Sequence, residues 1–400
     1  MITVGVRFMS LLYDRQSAYQ KLEDFLPYAG SHYAKKRNYD YGAGHHDHVS
    51  QLSPALRRRL ILEEEVIAKA FRAHGLKTAE KFIQEVFWRT YWKGWLEMRP
   101  SIWTDYVNAV ENLPSPSPMM EKALAGETGL ACFDEWHREL TQTNYLHNHA
   151  RMWFASIWIF TFGLPWQAGA HFFMSHLADG DPASNTLGWR WVAGLQTKGK
   201  AYAARADNID QFTNGRFAPY GALTEDVIAL EGADNPPAMG LATLRSADTL
   251  SQPYLLITSE DCHPLSLAMA HKAVGVMGLP ARLGGDFRAK AVLEADRLAI
   301  GEAVQEAASH FHIKADDCHE DEPWMEQVQK AALAAGADYI ALAYQPVGYW
   351  QRQLEGFAQQ SELPVIYYRR AYDELCWPHA KKGFFPFKEK IPSFISQLKC

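Results

Sequence analysis

The chemically richest segment is DGDPASNTLGWRW, residues 179–191. Asp179 and Asp181 stand two positions apart with Gly180 between them. Such a turn either holds its charges in water as an Asx-rich loop or offers acceptors to ribose hydroxyls or a ring N–H. A second segment, TNYLHNHARM (143–152), puts Asn148, Arg151 and Met152 on one face if it is helical. Arg151 could then pair with an acid such as Asp179; the alternative is a capped helix start with polar residues facing water. A third, QEVFWRTYW (84–92), aligns Glu85, Trp88, Arg89 and Trp92 in one stripe. A surface Glu85–Arg89 pair, worth about 0.3–0.5 kcal/mol beside core aromatics, is the plainer reading of it. In the fourth, VSQLSPAL (49–56), Pro54 follows Ser53 at a helix start. Hydroxyls and free N–H groups there hold phosphate, though a plain N-cap uses the same residues. The neighbouring GHHDH (44–48) has metal-binding residue types, but adjacent histidines diverge and no distant partner set accompanies them. No metal site is predicted.

These segments need elements to position them. Residues 1–220 read mainly as helices. One is predicted over 78–98, with Thr78 as N-cap and Pro100 beyond its end; another runs from 144 to 162, stopped by Gly163 and Pro165. Residues 218–253 are rich in Gly, Pro, Ala and Asp and read as a linker with one short helix at 224–230. Short apolar runs at 254–258, 338–344 and 364–368 then alternate with helical patterns at 289–308 and 325–335, the arrangement of a parallel sheet covered by helices. The expected fold is a helical domain (1–217), a linker (218–253) and a Rossmann-like α/β domain (254–400).

Composition bounds the function. Four hundred residues, 48% hydrophobic and 22% charged, fill more than one domain and exclude a wholly disordered chain. A net charge of −6 excludes a uniformly basic nucleic-acid binder. Residues 1–225 nevertheless hold 24 Lys+Arg against 23 Asp+Glu, and residues 226–400 hold 16 against 23, so an anionic partner should meet the first half. The five scattered cysteines form no C-x-x-C, which fits a reducing, cytoplasmic setting and argues against a cysteine-held metal or cluster. The uncharged stretch 152–170 is interrupted by Gly163, Pro165 and Gln167 and reads as a buried core helix, with no membrane association. The first residues lack a basic and apolar leader pattern.

Taken in order, HFFMSHLADGDPASNTLGWRW, NYLHNHARM and EVFWRTYW closely resemble the helical FAD-binding domain of the DNA photolyase/cryptochrome family, over about residues 30–217. The resemblance implies that Tyr33, Ser50, Gln51, Leu52 and Ser53 surround the FAD phosphates, with Gln51 where the family usually has a basic residue. It implies an Arg151–Asp179 ion pair beside the flavin ring, Asp181 near flavin and ribose, and Asn185 facing the ring as in photolyases. Trp189 and Trp166 match the inner two members of an electron-hopping chain; the outer one has no clear match, with Trp103 and Tyr106 nearby. Glu85, Trp88, Trp191, Asn148 and Met152 match the positions that receive a cyclobutane pyrimidine dimer flipped out of UV-damaged DNA. Arg89 and the run Arg57–Arg58–Arg59 are candidate phosphate contacts, or a solvated helix face.

The second half resembles the family's antenna-type α/β domain, through YIALAYQ (339–345) and GFFPFK (383–388), but follows the FAD domain where the family places it first. It is expected to dock on the helical domain despite this order, with the first ~30 residues packing as helix on the FAD domain and not as a strand of the sheet. Residues that bind a folate antenna are not evident around 344–351, which leaves a second chromophore doubtful. The implied function is light-dependent repair of cyclobutane pyrimidine dimers by electron transfer from reduced FAD, a deoxyribodipyrimidine photo-lyase. The alternative is a cryptochrome-like photoreceptor that signals to a protein partner. Oligomeric state is not legible.

Overall fold

The computed structural model describes residues 13–247 and 249–398. Of the first ~30 residues expected to pack as helix, 1–12 lie outside them, and Arg15–Phe25 forms a helix whose Ala18, Leu22 and Phe25 join the core of the helical half. The first half is helical: α1 (Arg15–Phe25), α2 (Ser31–Lys36), α3 (Ser53–Arg57), α4 (Glu63–Glu97), α5 (Ser101–Glu111), α6 (Pro118–Ala125), α7 (Ala131–Thr143), α8 (Asn148–Ser156), α9 (Trp166–His176), α10 (Pro182–Val192) and α11 (Ala206–Phe212). The second half holds β1 (Pro253–Ile257), β2 (Gly275–Gly278), α12 (Lys290–Phe311), β3 (Lys314–Asp316), α13 (Trp324–Ala334), β4 (Tyr339–Ala343), α14 (Tyr349–Gln360), β5 (Val365–Tyr368), α15 (Ala371–Cys376), α16 (Phe384–Lys388) and α17 (Ile391–Gln397). Its sheet is parallel, in the order β3-β2-β1-β4-β5.

Several boundaries differ from the sequence reading. Helix α4 begins at Glu63 and not near Thr78, because Glu65 caps the N–H of Leu62; only Gly75, at φ 69°, interrupts it. Asn144 does not start a helix: it terminates α7 in the left-handed conformation, and α8 begins only at Asn148, where the ring of His147 accepts from His149 N–H. The stretch 152–170 is α8, a π-turn (Ile157–Thr161) and α9, broken at Gly163 and Pro165, and not one helix. Among the described residues no helix is long and apolar enough to cross a membrane. Strands β2 and β3 were not predicted. Each is four residues or fewer, too short to show a period.

The 218–253 segment contains no helix at 224–230. Its backbone is tied to its neighbours instead: Thr224 N to Thr161 Oγ1, Leu230 N to the carbonyl of Ala193, and Met239 N to that of Met98. Arg99 donates to the Pro236 carbonyl and Arg369 to that of Ala242. A chain with Pro236 and Pro237 cannot pair its own amides as a helix, so it borrows partners from both halves.

Side chains on the two faces of the sheet separate by the period of two. Leu255, Ile257, Val276, Tyr339 and Ala341 join the core of the helical half; Tyr254, Leu256, Met277, Ile340 and Leu342 pack under α13 and α14 with Trp350, Leu354 and Phe357. One continuous core therefore crosses from the helices into the sheet, and the α/β part is docked on the helical part. The carboxyl ends of β1 and β4 point into that junction. Glu97 accepts from Tyr344 OH at 2.8 Å and Val347 N at 2.6 Å, and Arg57 donates to the Ser259 carbonyl at 2.8 Å.

Candidate active site

Helices α9 and α10 present the 177–181 loop between them. Asp181 forms the N-cap of α10, its Oδ2 accepting from Ser184 N at 3.0 Å and Ser184 Oγ at 2.7 Å, and Pro182 sits in the first turn. Gly169 allows α9 to receive the ring of Trp189: a Cβ there would lie 2.3 Å from Cη2 of that ring. Trp189 thus reaches α9 one turn from Trp166.

Arg151, on α8, donates through Nη2 to Asp179 Oδ2 at 2.9 Å, the ion pair the sequence reading placed here. Burial opposes ionisation of Asp179, but Arg151, the Ser53 hydroxyl and Arg89 outweigh it and hold the carboxyl below its usual value. Ser53 and Asp179, from segments far apart in the chain, therefore meet. The same balance acts on Asp181, where burial is overcome by Lys93 at 3.0 Å, Arg89 at 3.6 Å and the Ser184 cap, and the carboxyl lies far below the ordinary range. Asn185 is buried and donates to the Ala170 carbonyl at 2.8 Å. Asp179 Oδ1 is buried with no hydrogen-bond partner. An unfilled acceptor beside a fixed guanidinium fits a planar ring that carries an N–H donor, and the residues present fit a flavin.

Around this pair, Tyr33 packs against Phe25 and Phe82. Its hydroxyl is held far above the usual value by burial and Glu85, against Arg37. Glu85 pairs with Arg37 and not with Arg89, correcting the i, i+4 reading; Arg89 instead turns toward Glu63 and Asp181. Ser50 Oγ accepts from Leu52 N at 3.4 Å, and Gln51, at φ 53°, accepts from Lys21 Nζ at 3.0 Å. Asn148 is exposed and Met152 half-buried on α8. Trp88 and Trp191 lie in separate ring clusters. Trp88 stacks on Phe384 of α16, with centroids 3.6 Å apart and planes 12° apart, whereas Trp191 stacks on Tyr202 at 5.4 Å.

Arg57, Arg58 and Arg59 are neither phosphate contacts nor a solvated face: they are 1%, 0% and 4% exposed. Arg58 binds Asp296 at 2.7 Å, Arg59 binds Asp373 at 2.8 Å, and Arg57 reaches Glu260 at 3.2 Å. Three adjacent arginines cannot be buried without acids, and the acidic α/β half supplies them. The same physics identifies Lys93, which was overlooked. A lysine within TYWKGWLE is a charge inside an apolar run, and such a residue is normally paired. From Trp166 the aromatic series continues to Tyr106 at 5.8 Å, Trp103 at 5.3 Å and Tyr349 of α14 at 4.9 Å.

Within 44–48, His46 is buried while His45 is exposed and His48 half-buried. His46 Nε2 lies 2.6 Å from Glu139 Oε1, and Asp40 completes a buried triad whose ligand atoms fall within 4.8 Å of one another. Asp40 already accepts from Gly42 N and Trp136 Nε1 and faces Arg216 at 3.5 Å, so the local cation is an arginine.

A bundle that seats a part-buried arginine–aspartate pair and a capped acidic loop beside a parallel α/β unit has the parts a helical flavin-binding domain would need. Residues 82–221 match the FAD binding domain of DNA photolyase. Over those residues the chain is similar to the DNA photolyase/cryptochrome family. It is 30% identical over 230 residues to the deoxyribodipyrimidine photo-lyase of Streptomyces griseus, covering 52% of this chain and 50% of that protein. Identity to that of Vibrio cholerae is 26% over 216 residues, covering 52% and 45%. The chain thus spans about half the length of the curated relatives it matches. Among solved structures, a bacterial class III photolyase from Agrobacterium tumefaciens superposes with a TM-score of 0.44 at 26% identity, covering 50% of this chain and 43% of that one. The cofactor of the helical domain is FAD.

Proposed function

We propose that the chain is a light-dependent DNA repair enzyme that acts on cyclobutane pyrimidine dimers, within a unit formed by residues 1–217. FAD, when bound, supplies blue-light absorption and one-electron transfer. The observation that carries the reading is the part-buried Arg151–Asp179 pair with its buried, open acceptor. Tyr33, Ser50, Leu52 and Ser53 hold the phosphate end, and Lys21, beside Gln51, supplies the cation missing at position 51. Asp181 and Asn185 orient the ring. Trp189, Trp166, Tyr106 and Trp103 form the route by which an electron reaches it. Glu85 hydrogen-bonds the dimer, steadied by Arg37, and Asn148, Met152, Trp88 and Trp191 wall its pocket. The partner is UV-damaged DNA and the setting cytoplasmic, in keeping with free Cys132, Cys262, Cys318 and Cys376.

A second reading, a photoreceptor without repair, draws support from one contact. Phe384 covers a face of Trp88 that a flipped dimer would need. The deciding experiment is a repair assay on a dimer-containing oligonucleotide in light and in darkness. Repair in light that Glu85→Ala weakens more than it weakens DNA binding supports the enzyme; light-driven flavin reduction without repair supports the receptor.

A further inference from the structure

The 175–181 segment, which carries both aspartates, is held from the α/β side by Ala289 and Arg288 and from the helical side by Arg57. Its Ser175 carbonyl accepts from Ala289 N at 2.7 Å, its Leu177 carbonyl from Arg288 Nη2 at 3.3 Å, and its Gly180 carbonyl from Arg57 Nε at 3.2 Å. Arg57 is fixed in turn by Ser259 and by Glu260 Oε1 at 3.2 Å. The other oxygen of Glu260 lies 3.5 Å from Lys93 Nζ, whose second partner is Asp181 Oδ1 at 3.0 Å. Glu260 therefore divides two cations between its oxygens, and each cation ends on the loop: Arg57 on the Gly180 carbonyl, Lys93 on the Asp181 carboxylate. Glu260 is 9% exposed, Arg57 1% and Lys93 3%, so water does little to screen these contacts.

We infer that Glu260, at the carboxyl end of β1, is a positioning residue that sets the flavin loop through Lys93 and Arg57, so that the α/β unit builds part of the FAD site without touching the cofactor. The inference rests on the FAD site lying at Asp179 and Asp181. A carboxylate at 260 keeps Lys93 midway between two acids. Without it, Lys93 is drawn wholly to Asp181, and Arg57 swings toward Asp296, which already stands 3.7 Å away. Both movements pull on the turn that caps α10. A neighbour that only glued the domains together would leave the loop unchanged as long as the domains stayed docked.

The test uses the full chain and has one arm that needs no FAD. In Glu260→Gln, hydrogen exchange across residues 177–181 of the cofactor-free protein should quicken about tenfold while the β1 and β4 amides keep their protection. The Kd for FAD, titrated by flavin fluorescence, should rise about tenfold, equivalent to about 1.4 kcal/mol. If the single variant does not fold, Glu260→Asp keeps the charge but is too short to reach both Arg57 and Lys93, and should show the same loosened loop. Unchanged loop exchange with a Kd within about twofold of wild type overturns the inference. Should the wild-type chain not bind FAD, the reading of the site fails separately, and the exchange arm alone decides the positioning claim.

Discussion

Replacing Asp296 by Asn tests the junction of the two halves most directly. The carboxylate is fully buried and accepts from Arg58 Nε at 2.7 Å and Arg288 Nη1 at 2.9 Å, with Arg57 at 3.7 Å. Asn preserves the volume and one carbonyl acceptor but removes the charge. Arg57 would keep Glu260. Arg58 would keep only the Pro54 carbonyl, and its Nη2 is already unpartnered. Breaking a buried pair by removing one partner costs about 3–5 kcal/mol, and the retained acceptor places this variant near about 3 kcal/mol. Urea unfolding followed by tryptophan fluorescence, and separately by proteolysis within 218–253, would read the loss and show whether the halves part together. The pH dependence adds a second check. Burial disfavours the charged carboxyl, but Arg57, Arg58 and Arg288 hold it below its ordinary value of 3.8. Its stabilisation is complete above 3.8 and is lost as pH falls below that toward the folded value, so the gap between wild type and variant should close in acid. A loss under about 1 kcal/mol would place the network with solvent-exposed ion pairs and sink the reasoning.

Gly169→Ala should destabilise by about 1–3 kcal/mol in thermal unfolding, because the added methyl meets Trp189 at 2.3 Å and Trp158 at 3.0 Å and neither ring is flexible. Trp189→Phe should slow light-driven reduction of bound flavin by at least about tenfold, which is about 1.4 kcal/mol in the barrier; an unchanged rate would assign another donor. Burial pushes Glu97 up to about 7 against its bonds from Val347 and Tyr344. Because the folded state then holds a proton that the unfolded state releases near 4.5, wild-type stability should fall as pH rises from 4.5 to about 7, and Glu97→Gln should remove that slope. Melting curves taken across that range would decide it.

What the sequence disclosed followed from local rules. The runs at 254–258, 338–344 and 364–368 became β1, β4 and β5 because buried parallel strands are apolar on both faces. The Asp179–Arg151 pairing was legible because the two residues lay in segments whose order resembled a known family. Two kinds of feature were hidden. The first was local: Asn144 looked like a helix start because a polar residue before a periodic run is ambiguous between ending one helix and opening the next. The second was long-range. Nothing near Arg57, Arg58 and Arg59 in the chain announces Asp296, Glu260 or Asp373, so the arginine run read as surface or DNA contact until its acids were brought to it. Glu85 took Arg37 over Arg89 for the same reason.

The carboxyl ends of β1 and β4 have a wider consequence. In an open parallel sheet of order β3-β2-β1-β4-β5, the strand order reverses between those two strands, and the crevice at that reversal is where such folds ordinarily take a nucleotide or other small ligand. Here the crevice is closed like a socket by a plug. Arg57 enters at Ser259, Glu97 caps Val347, and Gly348 comes so near Pro182 that a Cβ there would lie 2.7 Å from its ring. The α/β unit keeps the architecture of a receptor but uses its mouth to grip its own neighbour. A second chromophore would have to settle on some other face, and prising the halves apart would expose Ser259 and Glu260, now held by Arg57.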